Sequence, residues 1–230
     1  MVIFNRFLLV IVLSFSALQA KGLREIAHLP HAQQLITKVF KERGVDPEDF
    51  EFTFSYNHWD FFYHPQSNSF TFDLKQLEIL NKTQTLSNHF LQDLIDCGTY
   101  GFQTRENHLL SVQGIIGHEL QHSFDRDELL KLFPIDLSER DFAKKAEKIR
   151  MLEARADLFA STDPRVLRAT AKFFKKGYDY FRPAFLADDK QYSSYLNNID
   201  PLHPTFIQRH DYLCAAATQL EQEGCGFNQR

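Results

Sequence analysis

The sequence predicts an α+β fold, mostly helical with a small antiparallel sheet, and three observations carry that reading. Most segments between residues 30 and 223 repeat their apolar residues at three- and four-residue intervals, the period of a helix packed on one face. One stretch, 52–74, instead alternates apolar and polar residues, as half-buried strands do. No repeat, low-complexity tract or linker interrupts residues 21–230, so a single domain is expected there.

The chain opens MVIFNRFLLVIVLSFSALQA: one charge at Arg6, an apolar run from Phe7 to Phe15, then small residues ending at Ala20. That order describes a cleavable signal peptide over 1–20. The run is too short for a membrane span, which needs about 20 apolar residues. The mature chain is therefore expected to be exported, periplasmic or secreted, and soluble, with no stable membrane insertion. Loss of Arg6 leaves 25 basic against 30 acidic residues, from 26 against 30 in the full chain, so nothing in the charge points to nucleic acid. Twenty-three phenylalanines predict a strongly aromatic core.

The elements follow in order. Residues 30–43 have helical spacing and stop at Gly44. Phe52, Phe54 and Tyr56, then Phe70, Phe72 and Leu74, alternate on either side of the turn residues 65–68, which reads as an antiparallel meander. LKQLEIL (74–80) is a short helix and 86–98 a longer one stopped by Gly98. A loop spans 98–108, and a helix runs from about Leu109 to Leu132, ended by Pro134. Another begins at Ser138, with Asp141 three residues on, and continues through RMLEARADLFAS. Residues 165–182 are helical, 181–204 form an aromatic loop, and a last helix covers about 205–223.

Residues 117–122 read GHELQH. On a helix, positions i and i+4 share one face, so His118 and His122 can aim their imidazoles at a common centre. Glu119 lies about 100° further round, able to hold a water there without being a ligand. That is the H-E-x-x-H arrangement of zinc hydrolases. Such a site uses three protein ligands and leaves one position open. The metzincin solution would need a glycine at position 125 and a histidine at position 128; Asp125 and Glu128 stand there and exclude it. The next helix offers Glu153, in EARAD, with Asp157 one turn on and on the same face. Asp157 can take the free ring N–H of a ligating histidine. The alternative is an exposed face with an acidic pair, which the like charges would mildly destabilise.

GHELQH, EARAD and HPTFIQR (His203–Arg209) together resemble the gluzincin metallopeptidases of the HtpX and CAAX-prenyl-protease type, whose motifs are H-E-x-x-H, E-x-x-x-D and H-P followed by arginine. The resemblance covers roughly 55–215 and implies a zincin-like domain binding one Zn2+ through His118, His122 and Glu153, with Glu119 as general base. It also places His203 beside the metal, as an oxyanion donor or as a ligand that silences the enzyme, with Arg209 fixing the segment through a carboxylate such as Asp157. The chain departs from the family at Trp59-Asp60-Phe61, where Asn-Ala is common, and at Asp125-Arg126-Asp127, where a basic residue and histidine are common.

The expected function is hydrolysis of peptide bonds in exported or misfolded proteins. Two alternatives stand beside it: a non-catalytic, chaperone-like binding protein, against which Glu119 argues, and a zinc amidase acting on cell-wall peptides. Of Cys97, Cys214 and Cys225, a 97–225 bridge is preferred, with three unpaired thiols as the alternative, and Cys214 lies within a helix. The lack of a C-x-x-C pair speaks against zinc held by cysteine. The remaining histidines, His210 among them, have no partner at ligand spacing and are expected as surface or core residues.

Overall fold

The computed structural model describes residues 22–56, 61–83, 105–133, 141–186 and 202–227. Pro30, at the first helical position, begins α1 (Pro30–Glu42), because its fixed φ suits a helix start and its missing N–H would have had no partner. Gly44, at φ +70°, reverses the chain just beyond it, a conformation that a Cβ disfavours. Ala32, Leu35, Ile36, Val39 and Phe40 form the buried stripe of α1.

The three strands are β1 (Glu51–Ser55), β2 (Phe62–His64) and β3 (Ser69–Asp73), in spatial order β1-β3-β2. β2 and β3 make the expected antiparallel hairpin, its turn closed by Asn68 in the left-handed region. β1, however, lies parallel to β3, so the sheet is mixed and the antiparallel meander is corrected. Alternation reveals which face of a strand is apolar but not which neighbour it takes. The parallel pairing sets Phe52 beside Phe70 and Phe54 beside Phe72, under Phe40 of α1. It also leaves β2 as an edge strand.

Helix α2 (Leu74–Thr83) follows the sheet directly. The motif helix α3 (Arg105–Phe124) starts four residues earlier than its apolar period indicated, and a one-residue break at Asp125 separates it from α4 (Arg126–Leu132). The break has a partner: Arg155 donates to both oxygens of buried Asp125, at 3.1 and 2.7 Å. Helices α5 (Phe142–Phe159), α6 (Pro164–Leu186) and α7 (Phe206–Phe227) complete the order. The expected aromatic loop therefore begins inside α6, and the last helix extends to 227. The segment 1–20, the helix at 86–98, the start at Ser138, Cys97 and residues 187–201 of the aromatic loop lie outside the described residues. No described helix is long and apolar enough to cross a membrane.

α3 is the hub. It meets the sheet at β2 and the helices α1, α5 and α6, so it is buried on most sides, with polar Gln113, His118, Gln121 and His122 inside as well as Ile116 and Leu120. Two glycines allow the close approach. A Cβ at Gly114 would collide with Thr170 Oγ1 on α6, and one at Gly117 would collide with the backbone oxygen of Ala160, just past α5. The glycine that opens GHELQH thus sets how near the two ligand-bearing helices come.

Candidate metal centre

His118 and His122, one turn apart on α3, turn their Nε2 atoms to within 3.1 Å of each other. Glu153 reaches across from α5: its Oε2 is 3.2 Å from His118 Nε2 and its Oε1 is 3.2 Å from His122 Nε2. All three residues are buried. Glu153 Oε2 nevertheless finds no hydrogen-bond donor among the described residues. A buried carboxylate oxygen without a donor is destabilising unless a cation completes its environment. His118, Glu119 and His122 are likewise compact, with ligand atoms within 4.8 Å of one another, and this group can hold a metal ion. Within the cluster Glu119 stands further off, Oε1 being 3.9 Å from His118 Nε2. Glu153 is therefore the better-placed carboxylate ligand and Glu119 its neighbour.

Glu119 is held from the sheet. The backbone N–H of Tyr63, on edge strand β2, donates to Glu119 Oε2 at 2.8 Å. Burial raises the carboxyl's pKa, His118 and His122 oppose the rise, and Glu153 reinforces it.

Asp157, one turn beyond Glu153 and 1% exposed, collects the rest of the network. It lies 2.8 Å from His118 Nδ1, and since a carboxylate only accepts, that nitrogen carries the hydrogen and Nε2 faces the centre with its lone pair in the neutral ring. Arg209, on α7, donates Nε–H to Asp157 Oδ2 at 2.7 Å and Nη2–H to Oδ1, with its guanidinium 3.9 Å from the Phe174 ring centroid. The Tyr212 hydroxyl donates to Oδ2 as well. Burial would raise the Asp157 pKa, but Arg209 and then His118 bring it down to about 2. Burial opposes charge on His118, yet Asp157 and Glu153 push its pKa up to about 10. The carboxylates around His118 thus favour positive charge at the cluster.

His203 stands at the rim, 43% exposed, its Nε2 3.5 Å from Glu153 Oε2. The structure therefore gathers every residue the motifs singled out: His118, Glu119, His122, Glu153, Asp157, His203 and Arg209. Three participants escaped the sequence. Tyr212 stands three residues after Arg209, a helical spacing that could have marked it. The Tyr63 N–H is a backbone group and carries no side-chain signal. Arg43, just past α1, donates to the Phe159 carbonyl at the C-terminus of α5 and to Gln121 Oε1 at 2.6 Å, and so ties the ligand helices together.

No family model, curated protein or solved structure matches the chain. The class of site is accordingly defined by its own donors: the His118–Glu119–His122 group of α3, able to hold a metal ion, with Glu153 of α5 against its two histidines.

Proposed function

We propose that the chain is an exported zinc metalloendopeptidase of the gluzincin kind, with one Zn2+ held by His118, His122 and Glu153. The observation that carries this reading is the convergence of donors: the Nε2 atoms of His118 and His122 lie 3.1 Å apart, and Glu153 sets Oε2 3.2 Å from the first and Oε1 3.2 Å from the second, its Oε2 being buried without a hydrogen-bond donor among the described residues. A tetrahedral ion with bonds of about 2.0–2.1 Å needs donors about 3.3–3.4 Å apart. Two imidazoles and a carboxylate suit zinc, and the His118–Asp157 contact is the outer support that ligating histidines use.

A zinc ion in this position supplies the Lewis acidity that makes water nucleophilic near neutral pH. The chain's own groups do the rest. Glu119, with Oε2 fixed by the Tyr63 N–H, has Oε1 turned to the centre, where it takes the proton of the attacking water and returns it to the leaving amine. Asp157, braced by Arg209 and Tyr212, holds the ring of His118 and fixes its tautomer. His203 donates an N–H to the oxyanion from the rim. An extended peptide pairs with the sheet edge beyond the Tyr63 N–H, which Glu119 already takes, so that binding rests mainly on backbone groups and fits protein substrates.

Zinc content and casein hydrolysis, measured together, test the reading. Glu119→Gln is expected to keep the metal and lose hydrolysis; a variant that cleaves casein at the wild-type rate would remove the proposed base. His203→Ala is expected to keep the metal and lower turnover by about 10²–10³-fold, the usual loss of one oxyanion donor. A rise in basal hydrolysis would instead make His203 a silencing ligand.

A further inference from the structure

His210 and Cys214 stand one turn apart on α7, and His210 Nε2 faces Cys214 Sγ at 3.6 Å. A search for C-x-x-C pairs or for histidines in company passes over this mixed pair, although i and i+4 on a helix is ligand spacing. His210 Nδ1 lies 2.8 Å from Asp211 Oδ1. The carboxylate can only accept, so Nδ1 carries the hydrogen and the Nε2 lone pair is left toward the sulfur. Giving the second ring N–H to a carboxylate is the habit of metal-ligating histidines. Bonds of about 2.0–2.1 Å to nitrogen and about 2.3 Å to sulfur place tetrahedral donors about 3.5 Å apart, close to the separation found.

The pair is also reachable. Cys214 is a free, half-buried thiol, and the side chains of His210 and Asp211 are 27% and 70% exposed. Arg168, the cation facing this stretch from α6, is engaged by Glu221 at 2.8 and 2.6 Å. We propose that His210 and Cys214 form a second metal site, for a thiophilic divalent cation of the Zn2+ and Cd2+ class, with Asp211 orienting the imidazole. Binding exchanges the thiol proton, released to solvent, for a sulfur–metal bond. Structural zinc sites close four positions with protein donors. Two donors leave the others to water, so this ion exchanges. The site shares no residue with the His118–His122–Glu153 cluster and does not rest on the peptidase reading.

Cd2+ titration of the full chain carrying Cys97→Ser and Cys225→Ser, so that Cys214 is its one thiol, tests it by the ultraviolet thiolate-to-metal absorption, because the cluster on α3 and α5 contains no sulfur. The expected result is a saturable band that Zn2+ suppresses, that Cys214→Ser abolishes, and that needs at least about tenfold more Cd2+ in His210→Ala and His210→Gln, since the second donor acts intramolecularly. No band in the chain whose one thiol is Cys214, a band that survives Cys214→Ser in that background, or an unchanged midpoint in both His210 variants would each overturn the proposal. His210→Gln keeps the side chain's bulk and polarity, and far-ultraviolet circular dichroism establishes that each variant is folded.

Discussion

Two buried regions of this molecule are built on opposite principles. Around the sheet, Phe40, Phe50, Phe52, Phe70 and Phe72 pack ring on ring, with centroids 5.2–5.9 Å apart. Contacts of that kind are non-directional, and stability scales with the area they remove from water. Between α3, α5 and α7 the buried groups are instead His118, His122, Glu153, Asp157 and Arg209, held by directed bonds of defined polarity. There a lost partner leaves a desolvated charge, which is more destabilising than the missing bond alone. The aromatic region makes the domain stable. The polar region contains a group of side chains able to hold a metal ion.

Substitutions can sharpen that contrast or break it. The largest effect is expected from Glu153→Ala, which removes the carboxylate that faces both histidines: zinc content and hydrolysis should vanish together, and full zinc occupancy would reassign the third ligand. Next is Phe70→Ala, fully buried against five aromatic neighbours. It should lower unfolding stability by about 3–5 kcal/mol in denaturant titration. Zinc affinity of the folded variant should stay at the wild-type level; a parallel loss of affinity would erase the division between the two regions. Asp157→Asn is expected to be milder toward the metal, weakening zinc binding about 10–100-fold in a competition titration.

Asp157 also supplies a pH signature in the metal-free chain. Its folded pKa of about 2 lies below the ordinary 3.8, so the stabilisation it contributes is complete above about pH 4 and disappears as the pH falls through 2. The stability difference between wild type and Asp157→Asn should shrink across that window. A constant difference from about pH 5 to 2 would mean that the carboxylate's charge is not what matters.

The polar region was the more legible of the two. Helical periodicity brings residues four apart together whatever the fold, so His118 with His122, and Glu153 with Asp157, could be read as pairs before any tertiary contact was known. Arg209 was reachable as a counter-charge for Asp157. Strand neighbours have no such local rule: the same Phe–x–Phe alternation serves a parallel or an antiparallel partner, and the meander expectation failed on β1. The break at Asp125 was hidden for a related reason, because its cause is Arg155 on another helix. Backbone donors such as the Tyr63 N–H leave no trace in residue identities at all.

The partners of Asp157 carry a consequence in time. His118 lies 39 residues before it, but Arg209 and Tyr212 lie 52 and 55 residues after it. A chain emerging from its N-terminus therefore presents His118, His122 and Glu153 well before it presents the guanidinium that balances the buried carboxylate. Before α7 docks, Asp157 has His118 alone among these partners, and a carboxylate with fewer partners is costlier to bury. The carboxylate is supplied at one point of the chain and balanced 52 residues later.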